Sequence, residues 1–136
     1  MSLPKVAFIC VHNSCRSQMA EALGRKYASD VFESYSAGTA LKERINPDAV
    51  RLMKQLHGID MERSQKSKTI DQIPRPDIVV SMGCLEGCPY IGRAFDEDWQ
   101  LEDPTGKPDE QFIAVIRQIE GRVLELKERI AKEGRK

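Results

Sequence analysis

Apolar and polar positions along the chain follow two different periods. Residues 6–11 and 78–82 are short runs with almost no polar position, which predicts strands covered on both faces. Residues 31–35 alternate between apolar and polar, which predicts a further strand that ends at Gly38. A weaker fourth strand is predicted near residues 90–95.

Three other stretches have the period of a helix. Apolar residues recur every three or four positions over residues 19–27, directly after the first apolar run. A second helix is predicted to start at Asn46, whose side chain caps helix ends well, and to stop at Gly58. The final helix is predicted to begin near Asp109, and its long apolar stripe over residues 112–130 predicts a core-facing surface.

The order of these elements predicts an α/β fold. Strand and helix patterns alternate through the first 80 residues, which is typical of βαβ units and an open parallel sheet. We expect a three-layer α/β sandwich with a four-stranded parallel sheet, formed by one domain over residues 1–136. Ligands of such sheets bind beyond the carboxyl ends of the strands. The turn after the first strand, residues 10–17, is therefore the expected site of chemistry.

Composition narrows the class of partner. The 136 residues include 21 Lys and Arg against 21 Asp and Glu, so the formal net charge is zero. This balance argues against nucleic acid or an anionic membrane as a partner. No apolar run approaches the roughly 20 residues that a membrane span needs, and residues 1–10 lack the pattern of a signal peptide. We therefore expect a cytoplasmic protein, and a monomer.

The four cysteines carry the candidate chemistry. In a reducing cytoplasm, thiol chemistry or metal binding is a commoner role for cysteine than a structural disulfide. Cys10 ends the first predicted strand, and Arg16 opens the following helix after five intervening residues. Backbone N–H groups of such a turn, a helix N-terminus and an arginine fork are suited to a tetrahedral oxyanion. The predicted oxyanion-binding residues are Val11, His12, Asn13, Ser14, Cys15, Arg16 and Ser17.

Individual side chains of this turn have separate expected roles. The positive field favours the thiolate form of Cys10, which is the nucleophilic form. Ser17 is expected to donate a hydrogen bond to that thiolate, and Asn13 is expected to adopt left-handed backbone geometry. Cys15 is predicted to pack beneath the loop, and His12 to lie at its rim.

At these residues the chain resembles the low-molecular-weight protein tyrosine phosphatase superfamily, and more closely its arsenate reductase branch. The resemblance continues through the later motifs. These motifs are Ser36-Ala37-Gly38, Asn46-Pro47, Asp77-Ile78-Val79-Val80 and Asp103-Pro104. It implies that Cys10 is the nucleophile, that Arg16 binds the oxyanion and that Asp103 is the general acid. The phosphatases follow their Asp-Pro with an aromatic residue, whereas Thr105-Gly106 follows here.

A second cysteine pair, Cys84 and Cys88, follows the third predicted strand. The reductase branch implies that Cys84 attacks the Cys10 sulfur to release arsenite and that Cys88 then attacks Cys84. The resemblance implies an arsenate- or phosphate-like oxyanion as substrate. The relay implies thioredoxin as the reductant. A small thiol is the alternative, because the cysteine spacing is shorter than in the thioredoxin-coupled enzymes and the Gly-Cys-x3-Cys-Pro form also resembles reductases that pass their arsenate adduct to a small thiol. No cofactor is implied.

Several alternatives stay open at this point. One alternative is a phosphotyrosine phosphatase in which Cys84 and Cys88 have no catalytic role. Another is a thiol sensor that forms disulfides without turnover. Cys84 and Cys88 would be half of a zinc site, but no further ligands stand at standard spacing. Asn13, Glu21 and Ser36 match potassium-binding positions of some reductases, yet Lys66 lies close by and a lysine would replace the cation. We therefore predict no metal. Trp99 is predicted to pack in the core.

Overall fold

The computed structural model of the chain describes residues 3–10, 12–13, 15–39, 44–83 and 95–133. In chain order its elements are β1 (Lys5–Ile9), α1 (Arg16–Tyr27), β2 (Glu33–Ala37), α2 (Pro47–His57), α3 (Met61–Ser64), a 3-10 helix (Ile70–Gln72), β3 (Ile78–Ser81), β4 (Glu97–Asp98) and α4 (Asp109–Glu133).

The four strands form one parallel sheet in the order β2-β1-β3-β4. This confirms the predicted α/β fold with a four-stranded parallel sheet. The strands β1 and β3 are central, and Ile9 pairs with Ala37 on one side and with Ser81 on the other. The carboxyl ends of three strands therefore meet at one edge, where Cys10 follows β1 and Met82 follows β3.

The two faces of the sheet are covered differently. Val6, Phe8 and Val80 belong to a large buried cluster with the apolar faces of α1, α2 and α4. Ala7, Ile9 and Val79 point to the opposite face, where they form a smaller cluster with residues of the segment around the 3-10 helix. This two-sided burial explains why β1 and β3 are apolar without alternation.

Local signals place the helices well. The Asn46 side chain accepts hydrogen bonds from the backbone N–H groups of Asp48 and Ala49, and Gly58 ends α2 with a left-handed φ of 68°. The helix α4 starts at the predicted Asp109, and its whole apolar stripe is buried. Trp99 is also in the core, as predicted, with its ring centroid 5.4 Å from that of Phe8.

The fourth strand lies elsewhere than predicted. It comprises Glu97–Asp98 and pairs with Val80 and Ser81, whereas the prediction placed it near residues 90–95. Residues 90–94 of that prediction lie outside the described part of the chain. The strand is created by hydrogen bonds to β3, and it has no apolar pattern of its own. Within the described residues, no helix combines the length and apolar content that crossing a bilayer requires.

Candidate active site

The turn after β1 places the Cys10 thiol against the start of α1. Cys10 is 6% exposed, and its Sγ lies 2.8 Å from Oγ of the buried Ser17. That Oγ also accepts a hydrogen bond of 2.9 Å from Nδ2 of Asn13. The predicted contact of Ser17 with Cys10 is confirmed, and donation of the Ser17 hydroxyl proton to a Cys10 thiolate stays a prediction.

Asn13 is the centre of the hydrogen bonds that shape the turn. It is fully buried and has a φ of 48°, so the predicted left-handed geometry is confirmed. Its Oδ1 accepts from the backbone N–H of Lys68 at 2.8 Å, and its backbone carbonyl accepts from the Ser67 hydroxyl at 2.9 Å. The strained backbone at Asn13 is thus held by a segment more than 50 residues away in sequence.

Gln18 supports the same turn, and sequence reasoning missed it. Its fully buried Nε2 lies 3.0 Å from both oxygens of Asn13 and 2.8 Å from the backbone carbonyl of Lys66. Its Oε1 accepts a hydrogen bond of 2.6 Å from Nε2 of Gln65. A polar residue in the first turn of a helix usually faces solvent, so the sequence carries no signal for this role.

Arg16 connects the start of α1 to the ends of two strand segments. Its Nη1 lies 2.7 Å from the carbonyl oxygen of Leu101, 3.0 Å from that of Gly83 and 3.1 Å from that of Met82. Sequence reasoning did not foresee these carbonyl partners. They fix the position of the guanidinium beside the turn, and oxyanion binding by Arg16 stays a prediction.

Gly83 occupies a tight crossing between the segments that follow β3 and β4. Its φ is 104°, and an added Cβ would lie 2.7 Å from Cα of Gln100 and 2.8 Å from the backbone nitrogen of Leu101. Only glycine avoids both problems. Gly83 directly precedes Cys84, which lies outside the described residues together with Cys88, Val11 and Ser14.

The predicted acid Asp103 lies near Cys15. Its Oδ1 accepts hydrogen bonds from the backbone N–H of Thr105 at 3.1 Å and from the Thr105 hydroxyl at 2.7 Å. Burial and, to a smaller extent, the charge of Asp103 raise the pKa of Cys15 to about 12, although a hydrogen bond with Thr105 opposes them. Cys15 is therefore a protonated thiol packed beneath the loop, as predicted, while His12 is exposed.

A buried ion pair lies behind the turn. Glu21 Oε1 lies 2.8 Å from Nζ of Lys68 and 2.5 Å from Oγ of Ser36, and Glu21 Oε2 lies 2.9 Å from a guanidinium nitrogen of Arg25. The Arg25 contact lacks the alignment of a hydrogen bond. The lysine beside two of the predicted potassium-binding positions is thus Lys68, and it was Lys66 that the sequence suggested. Within the described ranges, no cluster of three or more metal-ligating side chains occurs.

The fold and this turn define a class of α/β proteins in which a thiol follows the central strand and an arginine opens the next helix. The family model for low molecular weight phosphotyrosine protein phosphatase matches residues 5–136. The chain belongs to this family.

Two relatives extend the comparison over most of the chain. The chain is 36% identical to arsenate reductase 2 of Staphylococcus epidermidis over 135 residues, which is 95% of this chain and all of the relative. It is 36% identical to the glutaredoxin arsenate reductase of a Synechocystis strain over 126 residues, covering 89% of this chain and 94% of the relative.

The fold is also similar to solved structures of arsenate reductases and of a phosphatase. A structure of an arsenate reductase in the phosphate-binding state matches with a TM-score of 0.81 and 36% identity, covering 94% of this chain and 99% of that one. A thioredoxin-dependent arsenate reductase of Corynebacterium glutamicum matches at 0.74 and 34%, covering 97% of this chain and 64% of that one. A low-molecular-weight protein tyrosine phosphatase of T. tengcongensis matches at 0.70 and 25%, covering 93% and 99%.

Proposed function

We propose that this protein is an arsenate reductase that converts arsenate to arsenite with thiols as the source of electrons. The observation that carries the proposal is the 36% identity to arsenate reductases over nearly the whole chain. The Cys10–Ser17 contact at the carboxyl end of β1 is where that activity would begin. Arsenate reduction of this kind requires an oxyanion substrate and a thiol reductant.

In the first step, the Cys10 thiolate attacks the arsenic atom of arsenate held by the turn. The Ser17 hydroxyl stabilises the thiolate before attack, and backbone N–H groups of residues 11–17 together with Arg16 bind the arsenate oxygens. A sulfur–arsenic bond forms while an arsenic–oxygen bond breaks. Asp103 gives a proton to the departing oxygen, which leaves as water.

The electron transfer needs the second pair of cysteines. Cys84 attacks the Cys10 sulfur, and the sulfur–arsenic bond breaks with its electron pair remaining on arsenic, which becomes arsenite. The two thiols lose two electrons and form a Cys10–Cys84 disulfide. Cys88 then attacks Cys84, which restores the Cys10 thiolate and leaves a Cys84–Cys88 disulfide. A buried Cys10 explains why the oxidising equivalents must be passed outward before an external reductant acts.

Thioredoxin is the reductant that we propose for this last disulfide. Support comes from the thioredoxin-dependent reductase of Corynebacterium glutamicum, while the Synechocystis relative has a glutaredoxin name. Thioredoxin and glutaredoxin both donate electrons from thiols by thiol–disulfide exchange. The choice between thioredoxin and a small thiol is therefore part of the test.

The test measures NADPH oxidation by the reduced protein with thioredoxin and thioredoxin reductase when arsenate is added. We expect sustained oxidation, loss of turnover in Cys84→Ser and Cys88→Ser, and loss of all activity in Cys10→Ser. Hydrolysis of p-nitrophenyl phosphate is the internal control. Cys84→Ser should retain it, because the substitution leaves intact the turn of residues 10–17, which we call the phosphate loop. Sustained arsenate reduction by Cys84→Ser would refute the relay.

Phosphotyrosine hydrolysis is the second candidate, since the family model and the T. tengcongensis structure are those of phosphatases. It would use the same Cys10, Arg16 and Asp103 through a cysteinyl-phosphate intermediate. No arsenate-dependent NADPH oxidation with thioredoxin, glutathione or mycothiol, together with rapid phosphotyrosine hydrolysis, would favour it. Stoichiometric oxidation without turnover in either assay would instead indicate a thiol sensor.

A further inference from the structure

A cavity of about 320 Å³ lies behind the phosphate loop, between α1 and a stretch that runs from the last residues of α3 to Lys68. Its lining holds four cationic side chains and the Glu21 carboxylate, and the two other lining residues are polar and uncharged. The cationic residues are Arg25, Arg63, Lys66 and Lys68.

The charges in this cavity do not balance. Four positive charges surround one carboxylate, which leaves a local charge of +3, although the whole chain has 21 basic and 21 acidic residues. Lys68 and Arg25 contact Glu21. Within the described part of the chain, the side chains of Arg63 and Lys66 have no hydrogen bond or ion pair. Two cations therefore face the cavity without a counter-charge.

The size and polarity of the cavity restrict what it can hold. Its volume is at the small end of the range for ligand sites, which is about 300–1,000 Å³. All of its lining residues carry a charged or polar group, and four of the seven are cationic. A compact, multiply charged anion would gain from each cation at short range. We propose that this cavity is a second anion site that binds a tetrahedral dianion, distinct from the phosphate loop.

The cavity shares one wall with the support of the active-site turn. Gln65 lines the cavity and donates a hydrogen bond to Gln18, and the Lys66 carbonyl accepts one from Gln18. The backbone N–H of Lys68 donates to Asn13, which in turn holds Ser17. Residues 63–68 therefore lie behind the hydrogen bonds that support the Cys10 turn, on the side away from its own oxyanion site.

Sulfate is the probe for this proposal, because it stays a dianion at neutral pH and is not reduced by thiols. Backbone amide resonances of the full, reduced chain are followed by NMR during titration with sodium sulfate. Sodium chloride at matched ionic strength gives the baseline. We expect saturable shifts at residues 63–68 with a dissociation constant different from that at residues 12–17.

Charge removal then localises the site. In Arg63→Gln/Lys66→Gln, the affinity at residues 63–68 should fall about tenfold while the constant at residues 12–17 is unchanged. Both side chains are exposed, so folding is not at risk. Lys54→Gln/Arg117→Gln removes the same charge from other exposed positions and should leave both constants unchanged. Shifts at residues 63–68 that do not saturate, that share the constant of residues 12–17, or that survive Arg63→Gln/Lys66→Gln would overturn the proposal. The outcome does not depend on the proposed arsenate reduction.

Discussion

Substitution of Lys68 by methionine tests the buried ion pair behind the active-site turn. The Glu21 side chain is 1% exposed, and Lys68, which is 11% exposed, provides its hydrogen-bonded positive partner at 2.8 Å. Methionine retains most of the apolar stem of lysine but removes the ammonium. The carboxylate of Glu21 would then be buried with only Ser36 and the poorly aligned Arg25 guanidinium beside it.

The expected loss of stability is about 3 kcal/mol. Removing one partner of a buried pair costs about 3–5 kcal/mol, because the other charge stays desolvated. The lower end applies here, since Ser36 and Arg25 continue to stabilise the carboxylate. The exposed pair of Lys132 with Glu128 is the matched control, because both of its side chains are about 70% exposed. Lys132→Met should cost no more than about 0.5 kcal/mol.

Urea unfolding followed by circular dichroism measures both losses. The double variant Glu21→Gln/Lys68→Met removes the uncompensated charge, so it should recover a large part of the stability lost in Lys68→Met. Equal losses in Lys68→Met and Lys132→Met would show that the Glu21–Lys68 contact has no special energetic role. A double variant that is less stable than Lys68→Met would contradict the argument from desolvation.

Two further predictions concern backbone strain and pH. Gly83→Ala should lower the free energy of unfolding by about 3 kcal/mol, because the added Cβ collides with the backbone of residue 100 and the backbone also has a positive φ. At Gly58, which also has a positive φ, an added Cβ has no neighbour within 4 Å, so Gly58→Ala should cost about 1 kcal/mol. Urea unfolding compares the two, and equal losses would refute the collision. Burial lowers the pKa of His57 from 6.5, a nearby Lys26 lowers it further and Glu120 raises it. As the pH falls, His57 of the unfolded chain therefore takes up a proton before His57 of the folded chain does. The free energy of unfolding should be highest above about pH 6.5 and should decrease as the pH drops towards the folded-state pKa. His57→Gln should flatten this dependence below about pH 6.5, and an unchanged slope there would contradict the prediction.

Short-range signals explain the parts of the fold that could be predicted. The helix α2 starts and ends where Asn46 and Gly58 place it, because a cap depends only on residues within a few positions. The stripe of α4 is buried over its whole length, because helical periodicity brings those residues to one face whatever they pack against.

The fourth strand shows where such signals fail. Glu97–Asp98 has two acidic residues and no apolar alternation, and it becomes a strand only because β3 offers unpaired backbone groups at that edge. Backbone pairing continues through Trp99 and Leu101, which bind the backbone of Ser81 and Met82. A strand that depends on its neighbour has no independent pattern in the chain.

The candidate site also has contacts that could be predicted from the sequence and contacts that could not. The Cys10–Ser17 contact and the left-handed backbone of Asn13 could be predicted because these residues lie within one strand–turn–helix unit of eight residues. The Lys68 partner of Glu21 is 47 residues distant in sequence, and the Leu101 carbonyl bound by Arg16 is 85 residues distant. Nothing local distinguishes those partners from other lysines and other backbone groups. They meet because the parallel sheet brings the ends of its strands to one edge, and packing around that edge selects which distant side chain each buried polar group contacts.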